Sequence, residues 1–176
     1  MVVAPKLGSL AIAAAVAVAA CRAVPRPRLV VQGPPVEVIL PALDGGEIDV
    51  SGYRDRVLVL HFFTTWSLSA QADLVELGRA ERSARPGSLA IVGVALDLDG
   101  ARLITPWRDA AGVSHSIALA TDEVRAGDTA FGRVDVVPTT IVLDRDGQIV
   151  WRHEGGLPPG ELARLVGILE APAQGP

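Results

Sequence analysis

Residues 57–63 read Val-Leu-Val-Leu-His-Phe-Phe, a near-continuous apolar and aromatic run entered through Arg56. A half-exposed strand would alternate, so an unbroken run of this length fits a central strand buried on both faces of a parallel sheet. A second apolar run, Leu89 to Leu96, is bounded by Pro86-Gly87-Ser88 and by Asp97-Leu98-Asp99-Gly100. Between the two, residues 67–83 carry Leu74, Leu77 and Ala80 or Glu81 at three-to-four spacing, with Ser67 placed to cap the start and Arg85-Pro86-Gly87 to stop the end. Strand, helix and strand make a crossover unit, right-handed almost by default. The chain is therefore expected to be an α/β protein with a central mixed sheet flanked by helices.

The remaining pattern builds outward from that unit. Val36 to Leu40 alternates and predicts a first strand, which the Asp44-Gly45-Gly46 turn joins to Glu47–Val50 as an N-terminal β-hairpin at an edge. Helices are expected over 101–111, despite Pro106, and over 122–131, with a short strand at 115–120 between them. Residues 139–143 and 148–153 flank Asp144-Arg145-Asp146-Gly147 as an antiparallel hairpin, and Pro158 to Leu169 closes the domain as an amphipathic helix with proline in its first turn. The domain is read as 36–170, followed by a frayed tail at 171–176. No internal repeat is visible.

Ahead of the domain, Lys6 precedes an apolar run from Leu7 to Ala20 that is signal-peptide length and short of the roughly 20 residues a spanning helix needs. It ends Val18-Ala19-Ala20-Cys21. That ending resembles the bacterial lipobox, which implies a signal peptide over 1–21, lipidation of Cys21, and an exported protein anchored to a membrane by its acyl chains. Residues 22–35 hold Pro25, Pro27, Pro34 and Pro35 and read as an extended tether, a few tens of Å long at about 3.1 Å per residue. Of 16 basic and 20 acidic residues only Lys6 lies in residues 1–20, so the rest of the chain holds 15 against 20, a net charge of −5. An acidic chain with no basic stripe excludes nucleic acid as the expected partner.

The order of elements, Trp66 at a strand-to-helix turn, and Val136-Val137-Pro138-Thr139-Thr140-Ile141-Val142-Leu143-Asp144-Arg145-Asp146-Gly147 some seventy residues later resemble the thioredoxin superfamily. The likeness runs from about Pro35 to Leu169 and is nearest to the exported TlpA/ResA-type thiol-disulfide oxidoreductases and the related AhpC/TSA redoxins. It implies a thioredoxin-like fold in which Pro138 is a cis-proline facing the active site. The family's phenylalanine-tryptophan-alanine-threonine-tryptophan-cysteine run matches Phe62 to Ser67, but its two cysteine positions are Ser67 and Ala70 here. Cys21 is the sole cysteine in 176 residues. Disulfide exchange needs an attacking thiolate and a second thiol to resolve the mixed disulfide, and a peroxidase needs a sulfur that forms a sulfenic acid. Ser67 and Ala70 supply neither.

Other chemistry is thinly represented. Ser67 at a helix start could be a nucleophile, yet no G-x-S-x-G is present, and an N-cap role needs nothing further. His61 falls where the family often has a buried Asp or Asn beneath the site, and is read as a neutral, hydrogen-bonded core histidine. His61, His115 and His153 share no ligand spacing, so no metal and no cofactor are expected. Asp97 and Asp99, like Asp144 and Asp146, sit in glycine-containing turns where aspartate bonds local backbone. Trp107 and Trp151 are read as packing residues. Trp66 and Pro138 admit two readings. With Ser67 and Val137 they line the groove in which the family's partner polypeptides lie extended, or else Pro138 only shapes the sheet end and Trp66 caps the core. The favoured expectation is a redox-inactive binding module contacting an extended segment of a partner protein at Trp66, Ser67, Val137 and Pro138. The alternatives are an oxidoreductase completed by a cysteine-bearing partner, a Ser67-dependent hydrolase, and a purely structural lipoprotein.

Overall fold

In the computed structural model, which describes residues 29–171, the run at Val57–Phe63 is a strand with all seven side chains buried. In chain order the elements are β1 (Ile39–Pro41), β2 (Glu47–Asp49), a 3-10 turn at Val50–Tyr53, β3 (Val57–Phe63), α1 (Leu68–Ser83), β4 (Leu89–Ala95), α2 (Ala101–Ala111), β5 (Ser116–Leu119), α3 (Asp122–Ala126), β6 (Thr139–Leu143), β7 (Ile149–Glu154) and α4 (Glu161–Glu170). β1 and β2 pair antiparallel as a separate hairpin, and the main sheet runs β5-β4-β3-β6-β7. β3, β4 and β5 are parallel, while β6 and β7 are antiparallel to their neighbours.

Alternation along β3 splits the core. Leu58, Leu60 and Phe62 face a layer containing Val36, Leu40, Val124 and Phe131. Val57 and Val59 face α1 and α4 through Leu77, Ala80, Leu162, Leu165 and Val166. Phe63 packs with Ala70, Ile104 and Ile117, which brings α2 onto the α1 side. Each fully buried aliphatic or aromatic side chain contributes roughly 1.5–3 kcal/mol, so the centre of the sheet is where stability is concentrated.

The first strand lies later than 36–40. Val36, Val38 and Leu40 do alternate inward, but ladder pairing begins only at Ile39, because Val36 donates its N–H to Gly147 O and the segment crosses the sheet face to reach β2. Both edges of the main sheet are shielded by this N-terminal stretch. Val30 and Gln32 donate to Val150 O and Ile149 O of β7, and Leu43 donates to Ile117 O of β5. Unpaired edges invite aggregation, and this arrangement covers part of each. The described part of the proline-containing stretch before residue 36 is thus bonded to the domain. Cys21, the signal segment 1–21, residues 22–28 and the tail 172–176 lie outside the described residues.

Two helices are shorter than their sequence patterns. The one expected over 122–131 stops at Ala126, since Gly127 adopts φ +84° and terminates it. The last begins at Glu161 rather than Pro158, with Pro158 and Pro159 in the approach and Gly160 at φ +71° as its N-cap. Pro106 is accommodated inside α2 without breaking it. No helix among the described residues is long and apolar enough to cross a membrane.

Candidate functional site

Parallel strands β3 and β4 end at the same edge of the sheet, and β6 begins there. Phe62 pairs with Thr139, so Pro138 lies one residue beyond the pairing, level with the end of β3, from which the loop 64–67 leads into α1. Register therefore brings Ser67, Ala70 and Pro138 to one end of one sheet. The Val137–Pro138 peptide bond is cis. Pro138 is buried, Val137 half-buried, and Val137 makes no backbone hydrogen bond among the described residues.

Ser67 is the N-cap of α1. Its backbone is extended and its Oγ accepts from Ala70 N at 3.3 Å, with Ser69 Oγ at 3.2 Å. No histidine nitrogen bonds that hydroxyl among the described residues, so Ser67 has no base and the geometry matches a cap. Ser67→Ala should cost about 1 kcal/mol in urea unfolding, and nucleophilic turnover lost along with the cap would contradict that role. Ala70 is buried.

Trp66 is 74% exposed, so its ring does not cap the core. Leu68 (80%) and Leu98 (86%) are exposed at the same sheet end, as is Val136. The loop carrying Trp66 is held from the next strand: Asp97, buried, accepts from Thr65 N at 3.0 Å and from Thr65 Oγ1 at 2.8 Å. Asp97 is thus not the locally bonded turn residue expected, since its partners lie 32 residues away. Asp144 does behave as a turn aspartate, accepting from Asp146 N and Gln148 N. Trp107 stacks on Phe63 and Trp151 on His153, which is packing in both cases.

Beneath α1 lies a polar cluster that reading by residue type did not assemble. His61 is buried, with Nδ1 3.0 Å from Thr140 Oγ1 and Nε2 4.0 Å from Asp73 Oδ2. Asp73 Oδ1 accepts from Leu157 N at 2.7 Å, whereas Asp73 Oδ2 and His61 Nε2 have no hydrogen-bond partner among the described residues. Burial drives both groups toward neutrality: it depresses His61 to about 3, with His115 adding to the effect, and raises Asp73 to about 6. Glu76, one turn on, accepts from Gly160 N at 2.7 Å and pairs with Arg79. Gly155 N donates to Pro138 O at 2.8 Å and His153 Nε2 sits 3.0 Å from Gly156 O. The loop 155–160 therefore ties the proline to α1 through its own backbone. A sequence signal for Asp73 existed: it lies in the stripe Ala70, Asp73, Leu77, Ala80 that α1 buries. Among the described residues no three His, Cys, Asp or Glu side chains group as metal ligands.

No family model and no curated protein matches the sequence. Solved structures do match. A thiol:disulfide interchange protein of the thioredoxin family from Chlorobium tepidum TLS is similar at 19% identity and TM-score 0.66, over 84% of this chain and 99% of that one. The chain has the thioredoxin fold. A DsbF homologue from Corynebacterium diphtheriae gives TM-score 0.68 at 16% identity, covering 80% of this chain and 92% of its own. MTB dsbF, solved in mixed oxidized and reduced forms, gives 0.65 at 24% identity over 78% and 99%. In this chain the turn from β3 into α1 carries Ser67 and, one turn on, Ala70.

Proposed function

We propose that this protein is a thioredoxin-fold binding module of the cell envelope that has lost thiol exchange and holds an extended segment of a partner protein along Trp66, Ser67, Val137 and Pro138. The observation that carries it is the pairing of an unbonded Val137 backbone with exposed Trp66, Leu68 and Leu98 at one sheet end. An extended segment laid there gains main-chain bonds from Val137 and apolar contact from those side chains, and neither contribution requires sulfur. Support for the lost chemistry is the absence of cysteine from positions 67 and 70. Anchoring through lipidated Cys21 rests on the Val18-Ala19-Ala20-Cys21 ending and puts the domain on the extracytoplasmic face of a membrane.

The test is a photo-crosslinker at position 68, adjacent to Trp66 and itself exposed. Adducts with a polypeptide should form in cells and fall by an order of magnitude in Trp66→Ala, about the loss of one interface aromatic. Trp66 is too exposed to support the core, so the variant should unfold at the same urea concentration as the wild type. Adducts indifferent to Trp66 would sink the groove reading.

A further inference from the structure

We infer that a cleft at the sheet end opposite Trp66 binds a small hydroxylated anion, an organic carboxylate or phosphate that also bears a hydroxyl group. Two cavities, of about 230 and 390 Å³, share Glu81, Ser114 and His115 as lining. The first runs between α1 and the end of α2, with Leu74, Leu77 and Arg82 in its wall. The second continues past Arg56, Leu89 and Ser116, which stand at the starts of β3, β4 and β5, whereas Trp66 follows the end of β3. Apolar walls carrying a few convergent polar groups are the usual make-up of a small-molecule site.

The polar groups of this cleft are uncommitted. Arg56 and Arg82 make no ion pair among the described residues, whereas Arg79, Arg85 and Arg108 do. Arg56 lies over the Tyr53 ring, 5.1 Å from its centroid, a contact that leaves its N–H donors unused. His61 and His153 bond within the protein, but His115 has no hydrogen-bond partner among the described residues. Burial lowers His115 to about 4, so at neutral pH its ring offers one donor and one acceptor. Two glycines make the room. Gly78 lies inside α1, where glycine is a poor helix former, and a Cβ there would stand 3.0 Å from Arg82 Nη1. Gly93 lies in the middle of β4, where a Cβ would meet Phe63 Cε1 at 3.1 Å and His115 Nε2 at 3.4 Å. Each missing side chain thus seats a group that lines the cleft. Two guanidinium groups against one carboxylate leave the cleft positive, and guanidinium forks match carboxylate and phosphate oxygens. Glu81 borders both cavities, so an anion bound there is favoured when it donates a hydrogen bond to that carboxylate, which is the reason for the hydroxyl.

Titration calorimetry of the full chain at low salt tests the site with malate, with succinate, which lacks malate's hydroxyl, and with glycerol 3-phosphate. Malate should bind about ten-fold more tightly than succinate, the worth of one hydrogen bond to a charged acceptor. Whichever of malate and glycerol 3-phosphate binds more tightly names the anionic group. Arg56→Gln and Arg82→Gln, checked for folding by circular dichroism, should each weaken binding by about ten-fold. Glu81→Ala should abolish malate's advantage over succinate. Gly78→Ala should raise the urea midpoint, because alanine favours the helix, and yet weaken binding by displacing the Arg82 guanidinium; a purely structural Arg82 would not couple the two. Equal affinities for malate and succinate, binding indifferent to both arginines, or no saturable binding of any of the three would overturn the inference. Crosslinking from position 68 reads the other end of the sheet and is independent of all these outcomes.

Discussion

Asp73→Asn should gain about 3 kcal/mol of unfolding free energy relative to the wild type between about pH 4 and pH 6, and His61→Gln should lose about as much over the same range. The opposite signs follow from where each proton sits. Asp73 is raised from 3.8 to about 6 by burial, so across that window the folded chain holds a proton that the unfolded chain has released, and its contribution to stability is lost as pH rises through about 6. His61 is depressed from 6.5 to about 3, so the unfolded chain holds a proton the folded chain lacks, and that contribution is lost as pH falls below 6.5. In the wild type the two slopes cancel: unfolding in this range passes a proton from carboxyl to imidazole with no net uptake. Removing either partner exposes the slope of the other, at about 1.4 kcal/mol per pH unit. The groups facing the pair are His115, His153 and Glu76, each common to wild type and variants, so the differences isolate the pair. Urea unfolding of the three proteins at a series of pH values is the measurement. Parallel curves would mean that the buried atoms 4.0 Å apart do not exchange protonation states on unfolding.

Restoring sulfur is the second large effect. Ser67→Cys with Ala70→Cys should convert a protein with background dithiol-reductase turnover into one that reduces insulin measurably. Position 67 is a helix N-cap, where a thiolate is stabilised by the free N–H groups and the positive end of the helix, and position 70 is buried one turn on. Residues three apart at a helix start lie about 5–6 Å apart at Cβ before adjustment, close enough for rotamer and backbone shifts of a few tenths of an ångström to a couple of ångströms to close a disulfide. By loop entropy the oxidised variant should exceed the reduced one in stability by about 2 kcal/mol. Turnover by the unmodified chain, which has no cysteine outside position 21, would end the inactive-module reading. An inert, fully reduced double variant would show that the turn has departed from exchange geometry in more than its two side chains.

Some elements were legible residue by residue. Val57–Phe63 has the bounds its composition implies, because an apolar run leaves a strand no choice but full burial. α1 begins one residue after the serine expected to cap it, since capping is a local hydrogen bond between neighbours in sequence. The hairpin at 139–154 and the crossover unit were equally local. What failed depended on distant chain. Residues 36–38 alternate like a strand, but Gly147 and the crossing to β2 determine their bonding. Asp97 looked like a turn former, yet its carboxylate serves Thr65 on the neighbouring strand's loop. Asp73 has no role legible along the helix itself, because its partner, Leu157 N, arrives from the loop 155–160.

Sequence alone determined the architecture and the missing sulfur: periodicity and capping are set within a few residues, and a cysteine is either present or absent at a given position. Tertiary structure alone decided that Trp66 faces solvent, that Val137 keeps a free backbone, and that His61 and Asp73 meet in the dark beneath α1. Exposure and protonation depend on which segments, tens of residues apart, come to lie over a side chain, and only the packed sheet brings those segments together.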